Sequence, residues 1–171
     1  MVKEFKNKKE WALILGGSSG LGLATARKLA KHGMNICIVH RNSRSQLGQI
    51  EKGFKKITQE SVAFVSYNIN AIHTEKRIML IKKIKRKLEE GKIKVLVHSI
   101  AKGNLKPMIS DSIPTLQVDD FELTIQAMGI SLYDWVKSVF EAKLFSEDAR
   151  VVSFTSEGNS KAWKSYAAVS A

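Results

Sequence analysis

The chain has 171 residues, 44% of them hydrophobic, which suits one domain with a packed core. Its formal net charge of +12 favours an anionic ligand or an acidic partner. The single cysteine, Cys37, excludes a disulfide within the chain, and the apolar run 11–15 is too short for a signal sequence or a membrane span, so we expect a protein of the reducing cytoplasm without a membrane segment.

The first predicted strand, residues 11–15, follows a lysine-rich arm, residues 1–10, and runs directly into a glycine-rich turn. Apolar residues then recur at helical spacing over residues 23–32, so the order is strand, glycine turn, helix. Glycines in this context let the backbone approach a pyrophosphate, and the amino end of the helix offers free N–H groups and a partial positive charge. We therefore predict a dinucleotide ligand, with a structural turn without a ligand as the alternative. The turn residues predicted to hold the dinucleotide are Gly16, Ser18, Ser19, Gly20, Leu21 and Gly22.

The spacing of these glycines resembles that of a known family. Gly16, Gly20 and Gly22 fit G-x-x-x-G-x-G, a pattern that resembles the short-chain dehydrogenase/reductase family, whereas the stricter G-x-G-x-x-G would need glycine in place of Thr25. That family usually has Thr immediately before the first glycine, where this chain has Leu15. The resemblance implies an α/β fold of the Rossmann type, a doubly wound parallel sheet with helices on both faces. It also implies a nicotinamide dinucleotide as cofactor.

The second predicted strand, residues 35–39, ends at His40 and Arg41. In a dinucleotide-binding unit an acidic residue at this point would hold the ribose 2′-hydroxyl, whereas an arginine accommodates a 2′-phosphate. Arg41 stands 19 residues after Gly22 and therefore predicts NADPH as the cofactor rather than NADH. A solvated loop arginine is the alternative interpretation.

A second predicted helix, residues 43–60, leads to a third strand, residues 62–65, and then to Asn68 and Ile69. In the short-chain family that this chain resembles, an Asp-Val pair commonly follows this strand. There the acid contacts the adenine amino group and the apolar residue covers the adenine ring. By that resemblance Asn68 would accept the adenine hydrogen bond and Ile69 would cover the ring. Ordinary loop capping also explains Asn68.

The third predicted helix, residues 74–90, contains the densest positive charge of the chain, at residues 82–87. No aromatic interleaving or nucleic-acid motif accompanies this charge, which argues against nucleic acid as a partner. A solvated basic face is the favoured interpretation, and an acidic protein partner is the second.

The fourth predicted strand, residues 95–97, runs into His98, Ser99, Ile100 and Ala101. Most short-chain reductases have Asn-Asn-Ala-Gly at this strand end, beside the cofactor. His-Ser-Ile-Ala is instead similar to the sequence of enoyl-acyl-carrier-protein reductases, and this resemblance places all four residues against the cofactor. A histidine in the core is the alternative for His98.

A long irregular segment, residues 103–120, holds both prolines and follows a strand end in an open α/β sheet. Long loops in compact domains are usually functional and substrates bind at this edge, so the segment is predicted to line the substrate. A continuous helix is predicted next, over residues 121–144. Many short-chain dehydrogenases have an active-site Asn near Gly129, and enoyl reductases often lack it; the Ile-Ser-x-Tyr run at 130–133 again resembles theirs.

The fifth predicted strand, residues 150–154, leads to Ser156 and, ten residues later, to Tyr166. The family's catalytic core has a Ser or Tyr at this strand end, a Tyr one loop later and a Lys after that Tyr. The resemblance therefore assigns catalysis to Ser156 and Tyr166. The Lys usually stands four residues after the Tyr, where this chain has Ser170, but seven residues after it in enoyl reductases, which would be position 173. We expect the family's C-terminal part to be missing from these 171 residues.

The resemblance covers residues 1–171, expected to form a single NAD(P)-binding domain. It implies hydride transfer from NADPH to an enoyl thioester on acyl carrier protein, in fatty acid synthesis, by a homodimer or homotetramer without a metal. Tyr166 would donate to the thioester oxygen on which negative charge develops. One alternative is 3-oxoacyl reduction, with Tyr166 protonating the carbonyl oxygen and Ser156 orienting it. Another is a noncatalytic NADPH-binding or nucleic-acid-binding protein, favoured by the charge and the unassigned Lys.

Overall fold

The computed structural model describes residues 3–6 and 8–171. Its centre is a sheet of five parallel strands in the order β3-β2-β1-β4-β5. The strands are β1 (Glu10–Leu15), β2 (Asn35–His40), β3 (Phe64–Asn68), β4 (Lys92–His98) and β5 (Phe145–Ser153). Because the chain leaves β1 in one direction toward β2 and returns on the other side at β4, the order reverses between β1 and β4. This confirms the predicted doubly wound parallel sheet.

The structure contains the four predicted helices, the fourth of them divided in two, and one short helix that was not predicted. Within the described residues they are α1 (Gly20–Lys31), α2 (Leu47–Thr58), α3 (Thr74–Leu88), α4 (Val118–Ile125), α5 (Ser131–Glu141) and α6 (Ala167–Ser170). Short 3₁₀ turns lie at Arg44–Gln46 and Glu157–Asn159. No helix in residues 3–6 and 8–171 is both long enough and apolar enough to cross a membrane.

Each face of the sheet has its own apolar core, with α1 and α2 on one face and α3 and α5 on the other. Successive residues of β1 point to opposite faces, so Leu13 and Leu15 pack toward α3 and α5 while Ile14 packs toward α1 and α2. All three side chains are fully buried, and burial of one such side chain contributes about 1.5–3 kcal/mol. Burial on both faces is why β1 reads as an unbroken apolar run.

Cys37 lies in this core, and burial raises the pKa of its thiol to about 12. Part of the predicted arm is also packed: the Phe5 amide donates to the His32 carbonyl at 3.0 Å, and the Phe5 ring contacts the core on the α1 side. Residues 1, 2 and 7 of the arm lie outside the described residues.

Most predicted boundaries differ from the structure by a few residues, and three differences matter most. β3 is Phe64–Asn68 rather than 62–65, and β5 begins at Phe145 rather than at 150. The start of β5 carries polar residues that hide the strand pattern, because β5 is an edge strand of the described sheet, beside β4, and is largely exposed. The predicted helix 121–144 is interrupted by a π-helical turn, Gln126–Ile130, which separates α4 from α5. Such turns occur mostly as single-turn bulges, frequently at functional sites.

Candidate active site

The glycine turn packs tightly against the end of β4 and stays open at one point. Gly16 has φ +81°, and a Cβ there would stand 2.3 Å from the Ser99 carbonyl oxygen. A Cβ on Gly22 would stand 2.5 Å from the Gly16 carbonyl oxygen. At Gly20, with φ +53°, a Cβ would meet nothing within 4 Å. Two of the glycines therefore allow the close packing, and Gly20 leaves bare backbone facing open space.

The amino end of α1 begins at this open point. The Leu23 amide donates to the Ser19 carbonyl at 3.1 Å. The helix amides that come before Leu23 have no carbonyl within the helix to which they could donate. The Ser19 side chain makes no capping bond, and the first turn contains no acidic residue. Free amides and the positive end of the helix dipole suit an anion, so the turn fits the pyrophosphate of a dinucleotide.

A cavity of about 310 Å³ lies over the carboxyl ends of β1, β2 and β4, beside this turn. It is the place where an open α/β sheet binds its ligand, at the reversal of strand order. The predicted cofactor-binding residues in its wall are Gly16, Ser18, Ser19, Arg41, Ile69, Ser99, Ile100 and Ala101. The wall also contains Asn42 and Lys102, which no sequence pattern marks because loop residues outside a motif carry no signal.

The other predicted cofactor-binding residues lie outside this wall. Gly20 lines a separate cavity of about 470 Å³ between the turn and α2. Leu21 lines the cavity that contains Tyr166, which is described below as the second cavity. Gly22 is buried beneath the turn. Each of the three therefore belongs to the glycine turn without forming the wall of the first cavity.

His98 is a core residue, 3% exposed, and its side chain lies outside the cavity wall predicted for it. Its Nε2 lies 2.8 Å from Ser131 Oγ, and that hydroxyl donates to the Ala127 carbonyl at 2.7 Å. Since the Ser131 proton is already used, Nε2 donates to Ser131. Burial lowers the pKa of the imidazole, in keeping with a neutral ring. His98 thus joins the end of β4 to the start of α5.

Asn68 is exposed and also lies outside the cavity wall. Its Oδ1 accepts from the Asn42 amide at 3.0 Å, and its Nδ2 donates to the Asn42 carbonyl at 3.0 Å. The structure therefore gives Asn68 a partner in the loop after β2, and the adenine contact stays a prediction. Sequence reasoning could not find this partner because the two residues are 26 positions apart.

A second cavity, of about 590 Å³, contains both predicted catalytic residues, Ser156 and Tyr166. Ala101 and Lys102 line both cavities, so the two meet at these residues. Much of the remaining wall is apolar, from Leu21, Leu105, Ile125, Met128, Phe154 and Val169. The arrangement brings two hydroxyl groups and an apolar chamber beside the first cavity.

Local packing positions the two hydroxyl residues. The Gly158 amide donates to Ser156 Oγ at 3.4 Å, at the start of the 3₁₀ turn. Tyr166 directly precedes α6, and its ring stands 5.3 Å, centroid to centroid, from the ring of Trp163. A Cβ on Gly158 would lie 2.6 Å from a carbon of the Tyr166 ring, so glycine there lets the tyrosine approach. Ser170, at the four-residue spacing, lines the same cavity.

The predicted substrate loop, residues 103–120, is tied back to its own end at Asp120. The Asp120 carboxylate accepts from Lys106 Nζ at 2.9 Å, from the Gln117 amide at 2.9 Å and from the Asn104 side chain. The bond from Lys106, with those from Gln117 and Asn104, lowers the pKa of Asp120 to about 2. Gly103 and Leu105, at the start of the loop, line the second cavity.

Comparisons with known proteins agree with this geometry. The sequence profile described as short chain dehydrogenase matches residues 10–171. The very-long-chain 3-oxoacyl-CoA reductase of Mus musculus is 32% identical over 110 residues, which are 63% of this chain and 32% of that protein. A Burkholderia cenocepacia dehydrogenase with bound NADP has a TM-score of 0.78 at 18% identity, over 99% of this chain and 60% of that one. FabI from Alistipes finegoldii has a TM-score of 0.75 at 17% identity, over 97% and 61%. The chain thus spans about a third of the mouse relative and three fifths of these two structures.

Proposed function

This chain belongs to the short-chain dehydrogenase family, and from that premise we propose that it is an NADPH-dependent oxidoreductase that reduces the double bond of an enoyl thioester. The observation that carries the proposal is the meeting of the two cavities. Ala101 and Lys102 lie in both walls, the glycine turn borders the first cavity, and Ser156 and Tyr166 line the second. A cofactor in the first cavity and an acyl group in the second would be in contact there.

The proposed cofactor residues follow from charge and position. The amides at the start of α1 and the Gly16–Gly20 backbone would hold the pyrophosphate. Arg41 would pair with the 2′-phosphate, because a guanidinium binds such an oxyanion through two parallel hydrogen bonds. Ile69 would pack on the adenine, and Ser99 to Ala101 would support the nicotinamide end. What supports these assignments is that Arg41, Ile69 and Ser99 share one cavity wall with Gly16.

In the reaction NADPH would supply a hydride to the β-carbon and the α-carbon would then take up a proton, while the residues of this chain orient the acyl group. Tyr166 donates a hydrogen bond to the thioester carbonyl oxygen, where negative charge grows as the β-carbon is reduced. A donor placed in advance is stronger on that charge than on the neutral carbonyl, so it accelerates the chemical step. The Ser156 hydroxyl stands in the same wall as a second polar group. The apolar residues around them suit an acyl chain.

The preference for a double bond rests on two sequence features. His98 to Ala101 is similar to the enoyl reductase sequence, and Ser170 stands where a four-residue spacing would need Lys. We also propose, from the family resemblance alone, that the acyl group is carried on acyl carrier protein and that the enzyme is a cytoplasmic homodimer or homotetramer.

A second candidate is reduction of a 3-oxoacyl thioester. It is favoured by the Ser156 hydroxyl in the wall that holds Tyr166, since Ser156 would orient the ketone that Tyr166 protonates. The mouse relative is also named a 3-oxoacyl-CoA reductase. Both candidates use the same cofactor and the same tyrosine, so only the substrate distinguishes them.

The test compares NADPH oxidation with a crotonyl and an acetoacetyl thioester, using the protein with any residues that follow Ala171. We expect faster turnover of the crotonyl thioester. Faster turnover of the acetoacetyl thioester would establish the second candidate in its place. NADPH binding without turnover of either substrate would overturn the catalytic proposal and favour a noncatalytic NADPH-binding protein.

A further inference from the structure

We propose that Asn68 sets the preference for NADPH over NADH by holding the backbone of the loop that carries Arg41, without itself contacting the nucleotide. The inference rests on the proposed function, because it concerns the residue assigned to the 2′-phosphate. Asn68 is exposed at the end of β3, outside the wall of the first cavity, and both polar groups of its side chain are bonded to the backbone of Asn42.

The two bonds extend the sheet by one step beyond the end of the strands. β2 and β3 are paired in register up to His40 and Asn68, and the Ile69 amide donates to the His40 carbonyl at 2.8 Å. The Asn68 side chain then takes the place of a strand backbone, since it accepts from the Asn42 amide and donates to the Asn42 carbonyl. Arg41 is therefore held on both sides, by the strand ladder at His40 and by Asn68 at Asn42.

Further bonds leave the loop little freedom. Asn42 Oδ1 lies 2.9 Å from His40 Nδ1, and the His40 ring is buried with its edge against Phe54. Gln46 Oε1 accepts from the Ser43 amide at 3.0 Å and from Asn42 Nδ2 at 3.3 Å. A loop fixed in this way before the ligand arrives loses less entropy on binding.

The fixed backbone bears directly on selectivity. Arg41 is exposed, and its long side chain can grip a phosphate only if its Cα stands at the right place. NADH has no 2′-phosphate, so loosening the loop weakens NADPH binding and leaves NADH binding nearly unchanged. A residue that touched the adenine, which both cofactors share, would weaken both equally. The ratio of the NADH dissociation constant to the NADPH dissociation constant therefore distinguishes the two roles.

The choice of an amide at this position has a physical reason. A carboxylate at residue 68 would accept from the Asn42 amide, but it could not donate to the Asn42 carbonyl. It would also place a negative charge beside the loop that is to receive a phosphate. Asparagine supplies both bonds without charge.

The experiment measures the dissociation constants of NADPH and NADH by fluorescence titration for the wild type and Asn68→Ala. We expect about a tenfold loss of NADPH affinity, since two hydrogen bonds fix the loop, and about a twofold change or less for NADH. Asn35→Ala is the matched control. Asn35 Oδ1 accepts from the Ala63 amide at 3.0 Å, in a similar side-chain bond at the opposite end of the same strands. It should leave the ratio unchanged.

Two further variants connect the effect to Arg41. Arg41→Ala should remove most of the NADPH preference, and Asn68→Ala should then lower the ratio no further, because residues that act as one unit are not additive. Asn68→Asp keeps one bond and adds a charge, so it should also lower NADPH affinity selectively. Its melting temperature should stay close to that of the wild type, because residue 68 is exposed.

Each result decides between distinct conclusions. If Arg41→Ala leaves the ratio unchanged, the assignment of Arg41 in the proposed function is overturned. If Arg41→Ala lowers the ratio but Asn68→Ala and Asn68→Asp do not, the inference about Asn68 is overturned and the assignment of Arg41 stands. Equal weakening of NADPH and NADH in Asn68→Ala would place Asn68 on the shared part of the nucleotide and would also overturn the inference.

Discussion

His98 at the end of β4 and Ser131 at the start of α5 form a buried hydrogen bond of 2.8 Å. Because Ser131 donates its own proton to Ala127, in the π-helical turn, the bond from His98 leads through the serine into that turn. The turn is followed in the chain by α5, and Met128 and Gly129 within it line the second cavity. One buried pair thus links the strand end beside the proposed cofactor cavity to the helical wall of the proposed substrate cavity.

Ser131→Ala should lower the free energy of unfolding by about 1–3 kcal/mol, since it leaves the buried His98 N–H without an acceptor. Urea denaturation measures the change. Thr25→Ala is the control. Thr25 Oγ1 donates to the Leu21 carbonyl at 2.8 Å, as Ser131 donates to the Ala127 carbonyl, but on an exposed helix face. It should change stability by about 0.5 kcal/mol or less. Equal effects of the two substitutions would mean that the His98 bond contributes nothing measurable.

Stability should fall as the pH is lowered from about 6.5. Burial lowers the pKa values of His98 and His40, so each takes up its proton at lower pH in the folded protein than in the unfolded chain. Their contribution is therefore complete above the unfolded pKa and is lost as the pH falls through the folded values. His98→Gln should reduce this dependence, and the exposed His73→Gln should not. If the free energy of unfolding of His98→Gln depended on pH as steeply as that of the wild type, His98 would not be a source of this pH dependence.

Asp120→Asn should loosen the start of the 103–120 loop, because it removes the charge that pairs with Lys106. We expect faster limited proteolysis within that loop and a higher KM for the acyl thioester. The wild type should also lose stability as the pH falls from about 3.8 toward the Asp120 pKa of about 2, and the variant should lack this component. Unchanged proteolysis would show that Asp120 does not hold the loop.

Three glycine substitutions should distinguish glycines needed for packing, which affect stability, from a glycine needed for the ligand to approach, which affects NADPH binding. Gly16→Ala should destabilise the protein by about 3 kcal/mol or more, because overpacking against Ser99 and left-handed strain each contribute about 1–3 kcal/mol. Gly20→Ala meets no neighbour and should cost only about 1–2 kcal/mol from its φ of +53°, yet it should abolish NADPH binding. Gly48→Ala, on α2 and also without neighbours, is the control and should add about 0.5–1 kcal/mol. Thermal melts and NADPH titrations measure both effects, and normal NADPH binding by Gly20→Ala would count against the pyrophosphate site.

Tyr166→Phe should lower turnover about a hundredfold or more and leave NADPH affinity nearly unchanged. A donor to a developing oxyanion contributes about 3 kcal/mol, mainly in the transition state. Steady-state kinetics and NADPH titration provide the two measurements, on the protein with any residues that follow Ala171. Tyr133→Phe is the control, because Tyr133 is exposed on α5. Full turnover in Tyr166→Phe would remove this tyrosine from the mechanism.

The sequence by itself determined the parallel sheet and the glycine turn that borders the first cavity. The unbroken apolar run of β1 requires burial on both faces, and Gly16 and Gly20 sit at positive φ, which glycine adopts without strain. Gly33, also at positive φ, follows the last turn of α1, a position that glycine commonly occupies. These features are local: apolar periodicity and the lack of a Cβ act within a few residues, so they can be read from the chain alone.

The tertiary structure decided which polar side chains face the first cavity and which bond to neighbouring elements of the protein. His98 and Asn68 look equivalent in the sequence, each at the end of a strand beside the expected cofactor. His98 turns into the core because the fold brings Ser131, 33 positions away, within 2.8 Å of its ring. Asn68 pairs with Asn42 because two parallel strands end side by side. A polar side chain binds the partner that the fold places nearest, and separation along the chain does not reveal that partner.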